Sequence, residues 1–127
     1  MRVSGRLGQR HADLVEALCA CATARREIED GGLELRVDPH QVRRVMSGGR
    51  GQYSAEQIGR LLVDLRAVVV EVETPEMRAG DRAVGGLIDH WLPDGGEVAD
   101  PLTGKTRQLW RVRLGALLVA LLRHDVA

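Results

Sequence analysis

Arginine and glutamine side chains are concentrated in the middle of this chain. Residues 36–66 contain six arginines and three acidic residues, a local net charge of +3, although the 127-residue chain as a whole is neutral. Arginine can hold phosphate oxygens or the acceptor edge of guanine, and glutamine can bind adenine in the major groove of a duplex. Side-chain hydroxyls and the free N–H groups at a helix start also bind phosphate. The candidate residues for such contacts are Arg43, Arg44, Arg50, Gln52, Tyr53, Ser54, Gln57 and Arg60.

Two consecutive helices are predicted to position these side chains. Asp38 followed by Pro39 predicts a helix start, because Asp caps free backbone N–H groups and Pro is favoured at the first helical position. That short helix should end where the glycines of 48–51 begin. Ser54 and Gln57 form a predicted capping box at the start of the next helix. Apolar residues at helical spacing then predict a buried face, with polar side chains on the opposite side.

The remaining elements follow from the period of the apolar residues. They are a helix over 9–29, a strand over 33–37, strands over 68–73, 86–92 and 107–114, a loop over 93–105 and an apolar helix over 116–123. A strand before two consecutive helices, followed by a β-hairpin, is the winged helix-turn-helix arrangement. We therefore expect a single α+β domain over 1–127, a winged helix-turn-helix domain with its recognition helix at about 54–66 and its wing hairpin at about 86–114.

The predicted wing carries charges of both signs. Asp94, Glu97 and Asp100 lie in its first half, where their carboxylates would repel phosphate. Only Lys105 and Arg107, near its end, are expected to contact DNA. Either the wing tip stays away from the duplex, or this acidic surface serves a protein partner.

Several short segments resemble TrfA-like plasmid replication initiators. They are 61–72 (LLVDLRAVVVEV), 85–88 (GGLI), 110–114 (WRVRL) and 7–14 (LGQRHADL). The first is similar to the recognition helix and following strand of that family, and the others to its next strand pair and the start of its first helix. The resemblance implies a winged-helix fold that binds DNA. Initiators of this family carry two such domains, whereas this length accommodates one, which favours a plasmid or phage regulator or an initiator fragment.

The sequence offers no pattern typical of an enzyme. The four histidines lack metal-ligand spacing with one another or with a cysteine; they are His11, His40, His90 and His124. Cys19 and Cys21 are two apart on a predicted helix, so we expect buried free thiols rather than a disulfide. The glycines of 48–51 lack the Lys-Ser/Thr ending of a phosphate-binding loop. We expect no catalytic residues, no metal and no cofactor.

The expected location is the cytoplasm, without a membrane partner. No apolar run approaches the roughly 18 residues of a membrane span, and the first residues lack the apolar block of a signal peptide. A homodimer is expected, because the last helix is apolar on almost every face at 117–122 and one domain core covers one face of a helix. Val63 and the strand over 68–72 would add a self-association surface if that strand lay at a sheet edge.

Two functions remain in view from the sequence. One is binding of double-stranded DNA, as a plasmid or phage replication initiator or a transcriptional regulator. The alternative is a winged-helix protein-interaction or dimerisation module without sequence-specific DNA binding, whose partner would use the acidic or apolar surface. The fold alone does not decide between them.

Overall fold

The computed structural model describes residues 2–4, 7–48, 53–72 and 83–126. It is a mixed α+β structure in which the described residues form four helices and a central four-stranded antiparallel sheet. The elements are β1 (Arg2–Ser4), α1 (Gln9–Cys21), β2 (Ala22–Glu27), β3 (Leu33–Val37), α2 (Pro39–Met46), α3 (Ala55–Ala67), β4 (Val69–Val72), β5 (Ala83–Gly85), β6 (Ile88–Leu92), β7 (Glu97–Ala99), β8 (Thr106–Gln108), β9 (Trp110–Leu114) and α4 (Ala116–Val126).

The central sheet has the strand order β2-β3-β9-β6. On β3, Leu35 and Val37 are buried and Arg36 between them is exposed, whereas Glu34 is buried on the opposite face from Leu35. On β9 the buried residues are Val112, opposite Leu35, and Leu114. One face of the sheet is therefore apolar and covered by helices, and the other is polar.

The predicted pairing of the strands on either side of 93–105 is present, since β6 pairs with β9. The prediction of a loop over 93–105 is wrong in its middle. There, β7 and β8 pair and extend the hairpin beyond the sheet. The side chains of β7 are all exposed. The sequence of β7 therefore lacks the alternation of apolar and polar residues that a strand with one buried face shows.

The prediction of one helix over 9–29 is wrong. The helix ends at Cys21, and β2 begins at Ala22 and pairs with β3. A tight turn joins the two strands: Gly31 has a φ of +92°, and the carboxylate of Asp30 accepts from the N–H of Gly32 at 2.8 Å. Asp-Gly between two extended segments is a hairpin turn. Pairing with β3 thus overrides the helical propensity of the Ala-, Arg- and Glu-rich segment.

A second, smaller sheet has the order β1-β4-β5. Self-association through the strand over 68–72 was expected only if that strand lay at the edge of a sheet. β4 is instead the central strand of this sheet, so that condition is not met. β4 and β5 nevertheless expose Val69 and Val84 on the same side, since Val84 lies opposite Glu71.

The hydrophobic core lies between the central sheet and the helices. Its fully buried members include Leu14 and Leu18 of α1, and Ile58 and Leu62 of α3. α4 packs on this core through two buried residues, and its Leu117, Leu121 and Leu122 are only half-buried. α4 therefore retains apolar surface that this domain covers incompletely.

Cys19 and Cys21 are free thiols, half-buried and buried, and burial raises the pKa of both. Within the described ranges, no helix is long and apolar enough to cross a membrane.

Candidate nucleic-acid interface

The end of α2 and the start of α3 are joined by two hydrogen bonds to the backbone of Tyr53. Its N–H donates to Ser47 Oγ at 3.0 Å, and its carbonyl accepts from Arg43 Nε at 3.0 Å. The half-buried Tyr53 also packs against the core. Arg43, predicted from the sequence as a phosphate contact, therefore helps to fix the angle between the two helices through its Nε.

A reciprocal capping box begins α3, as predicted. Ser54 Oγ accepts from the N–H of Gln57 at 3.1 Å, and Gln57 Oε1 accepts from the N–H of Ser54 at 2.8 Å. The amide nitrogen of Gln57 is not part of this box and stays at an exposed position. Glu56 lies in the first turn, where its charge suits the helix dipole but opposes a phosphate.

The exposed face of α3 carries a local ion pair. Arg60 Nη2 lies 2.8 Å from Glu56 Oε1, and both side chains are about three-quarters exposed. An exposed pair of this spacing contributes only about 0.3–0.5 kcal/mol. A phosphate or a base edge could therefore take the guanidinium from Glu56 at little cost.

Asp64, further along α3, is held by α1. Its Oδ2 lies 2.8 Å from His11 Nε2, while His11 Nδ1 accepts from the N–H of Gly8 at 2.9 Å. Because the Gly8 N–H can only donate, the ring proton belongs on Nε2, and His11 donates to Asp64. This contact ties α3 to α1 and occupies a carboxylate that would otherwise face the solvent alone.

Arg44 is the least encumbered cation of α2. Its side chain is exposed, and it lies beside a shallow depression of about 310 Å³ formed with Gln41, Val45 and Gly48. Arg50 and Gln52, also predicted contacts, lie outside the described residues.

Arg107 is half-buried and bound by two carboxylates rather than free at the tip of the hairpin. Its Nη2 lies 2.7 Å from Asp38 Oδ2, and its Nη1 lies 3.5 Å from Asp100 Oδ2. Asp38 is the predicted cap of α2: its Oδ1 accepts from the N–H of His40 at 3.0 Å. One carboxylate thus caps a helix and holds the hairpin against it. The other predicted wing cation, Lys105, is exposed.

Two of the three acidic side chains of the hairpin are held by partners within the fold. Arg111 binds Asp94 through two parallel hydrogen bonds of 3.0 and 2.9 Å. Asp100 accepts from the N–H groups of Leu102 and Thr103 at 2.8 and 3.3 Å, and these bonds hold the pKa of its carboxyl below the ordinary value. Glu97 is exposed. Arg111 offsets the charge of Asp94, whereas Asp100 stays ionised, because its lowered pKa favours the charged carboxylate.

No known protein family, curated protein or solved structure matches this chain. The candidate interface is therefore defined by its own geometry. The part of the chain that the structure describes holds no group of three or more His, Cys, Asp or Glu residues able to bind a metal ion.

The structure brings together residue pairs that sequence reasoning did not connect. Asp38 and Arg107 are 69 residues apart, and His11 and Asp64 are 53 apart. Neither pair has a local pattern, since both depend on how distant elements pack. The Asp-Gly turn after β2 was visible in the sequence and points to a hairpin, but the alanines before it favoured a helix.

Proposed function

We propose that this protein binds double-stranded DNA as a winged helix-turn-helix domain. The observation that carries the proposal is the connection of its elements. β3 precedes α2 and α3, β6 and β9 follow them, and β3 pairs with β9, so the two helices and the hairpin are held on one sheet. In such an arrangement the second helix enters the major groove and the hairpin lies beside it.

The proposed contacts divide by chemistry. Arg60 and the amide nitrogen of Gln57 lie on the exposed face of α3 and would discriminate between bases. Arg44 on α2 and Lys105 on the hairpin would hold phosphates, which adds affinity without sequence preference. Arg43 can contribute only through the part of its guanidinium that does not bind Tyr53.

The biological role in this proposal is transcriptional regulation or replication initiation on a plasmid or phage, as the resemblance to TrfA-like initiators implies. The proposed location is the cytoplasm, and catalysis plays no part in it. The polar face of α3 supports a binding role, because Arg60 and Gln57 are exposed there and the Glu56–Arg60 pair is weak.

The experiment selects bound duplexes from a random DNA library at two salt concentrations. A retained sequence motif and a steep loss of affinity with salt are the expected result. Arg60→Ala should then weaken binding to the preferred sequence by about 1–3 kcal/mol and relax the preference at one base position. Arg44→Ala should weaken binding to all duplexes and reduce the salt slope by about one unit.

Arg36→Ala is the matched control. It removes the same side chain from an exposed position of β3 on the polar face of the sheet, away from the helices. It should bind DNA as the parent does. If the parent retains no duplex at low salt, or if the Arg60 and Arg44 variants behave like this control, the proposal is wrong.

The alternative, a protein-interaction module, is favoured by a different part of the molecule. β2 is an edge strand with exposed side chains at 23–27, and an unpaired strand edge invites pairing with another chain. This feature is compatible with DNA binding.

A further inference from the structure

Within the part of the chain that the structure describes, the outer edge of β2 is open along the strand. β2 stands at the end of the central sheet, and no described strand pairs with it on the side away from β3. The backbone N–H and C=O of Ile28 face β3. The N–H donates to the carbonyl of Gly32 at 3.0 Å, and the carbonyl accepts from the N–H of Gly31 at 2.9 Å. Backbone direction alternates along a strand, so Arg26 also faces β3, whereas Arg25 and Glu27 direct their N–H and C=O groups to the open edge.

We infer that β2 pairs antiparallel with β2 of a second copy of this chain, about a two-fold axis that passes through Arg26. In this register Arg25 lies opposite the partner's Glu27, and Glu27 lies opposite the partner's Arg25. Both are residues whose backbone groups face the open edge, so the two pairs exchange four backbone hydrogen bonds. The central sheet would then continue from one copy into the other.

Charge selects this register over its neighbours. With the axis at Arg25, the Arg25 residues of the two copies would lie opposite each other. With the axis at Glu27, the two Glu27 residues would lie opposite each other. Like charges directly opposite on adjacent strands are unfavourable, and opposite charges are favourable. Only the axis at Arg26 gives two Arg–Glu pairs on the helix side of the sheet.

The two Arg26 side chains that meet at the axis lie on the polar face and are already compensated. Arg26 Nη2 lies 3.1 Å from Glu34 Oε2, and the Glu34 side chain is nearly buried. Each copy therefore brings its own counter-charge to the centre of the interface.

An apolar cleft on the helix side supports a partner at this edge. It has a volume of about 600 Å³, and its apolar walls come from Cys19, Leu33, Val119 and Leu122. A two-fold axis perpendicular to the sheet keeps both clefts on the same side, next to each other across the strand junction. The half-buried apolar surface of α4 would thus be covered by the partner's α4.

The charged rim of the cleft is arranged for self-recognition. Arg25 Nη2 donates to the carbonyl of Cys19 at 2.7 Å, which holds the guanidinium at the edge. Glu27 Oε1 lies 3.1 Å from Arg123 Nη2, and its other oxygen remains for the partner's Arg25. In a two-fold interface the same surface patch of both copies makes the contact, so one patch must carry both the arginine and the glutamate of each pair. The rim of the cleft carries both.

Charge reversal tests the register without any DNA. In sedimentation equilibrium at micromolar concentrations, the parent should be a dimer. R25E places glutamate opposite the partner's Glu27, and E27R places arginine opposite the partner's Arg25, so each variant alone should dissociate at least tenfold more readily. An equimolar mixture of R25E and E27R should form heterodimers, because both cross-strand pairs are then complementary. The double variant R25E/E27R should dimerise by itself.

Arg10→Glu is the control for charge reversal as such, since it changes an exposed residue in the first turn of α1. It should dimerise as the parent does. The mixture also controls for folding, because unfolded variants could not complement each other. A monomeric parent, single reversals that dimerise like the parent, or a mixture that stays monomeric would each overturn the inference. These outcomes are independent of the DNA selection, so the two proposals fail separately.

Discussion

α2 and α3 begin with the same chemical device in two different settings. Asp38 caps α2 by accepting the N–H of His40 at 3.0 Å, and Ser54 caps α3 by accepting the N–H of Gln57 at 3.1 Å. Ser54 is exposed, and its partner lies three residues away. Asp38 has a side chain that is 6% exposed, and its second oxygen holds Arg107 from the hairpin.

A helix cap can therefore act locally or can join distant parts of a fold. The Ser54 box organises one helix turn and little else. Asp38 fixes the start of α2 and the base of the hairpin at once, so its loss affects two elements. Variants of both caps should differ in stability accordingly.

The largest effect is expected for Asp38→Ala. It removes a cap worth about 1 kcal/mol and a hydrogen bond to a charged group worth about 1.5–3 kcal/mol. Because Arg107 is about one-third exposed, we expect a loss of about 2–3 kcal/mol in the free energy of unfolding rather than the full sum. Urea denaturation followed by circular dichroism measures it. Asp38→Asn is the matched control, since Asn caps as well as Asp but carries no charge.

Arg107→Ala should have the next largest effect, about 1–2 kcal/mol, because it leaves the buried Asp38 carboxylate without its cation. If the Asp38–Arg107 contact joins α2 to the hairpin, the double variant Asp38→Asn/Arg107→Ala should lose less free energy of unfolding than the sum of the two single losses. Lys105→Ala, an exposed lysine two residues away, should change stability by less than about 0.5 kcal/mol. Additive losses would show that Asp38 is a local cap after all.

Ser54→Ala should cost about 1 kcal/mol, the usual value for an exposed N-cap. Because its partners are local, this loss should add to that of Arg107→Ala in a double variant. Ser54→Asp keeps a capping oxygen and serves as the control, with stability close to that of the parent. A loss as large as that of Asp38→Ala would remove the distinction between the two caps.

The smallest effect is expected from Asp100, which is half-buried. Backbone N–H groups of Leu102 and then Thr103 lower its pKa, with Arg107 as a further cause. A folded pKa below the ordinary 3.8 means that the ionised carboxylate stabilises the hairpin above that pH, and that this contribution is lost as pH falls through the folded value. An NMR titration should therefore place the Asp100 midpoint below 3.8. A midpoint at or above 3.8 would contradict the turn geometry.

The sequence alone predicted the elements whose stabilising contacts lie within a few residues. Both caps and both helices of the candidate interface follow from Asp38-Pro39 and from Ser54 with Gln57, because capping bonds span two or three positions. The pairing of β6 with β9 follows from two apolar strands separated by a turn-rich segment. The same local reasoning failed at 22–27, where helical propensity was outweighed by pairing with β3.

The partners of the charged side chains depend on how distant elements pack. Arg107 looks like a free cation in the sequence, and packing places it against a carboxylate 69 residues earlier. Asp94 and Asp100 look like free carboxylates in the sequence, and the fold gives Asp94 an arginine and Asp100 two backbone N–H donors. An ion pair forms where folding brings two elements within about 4 Å, and no local spacing encodes that approach. The helices of the candidate site were therefore predictable from the sequence, whereas the charges that remain free on it were not.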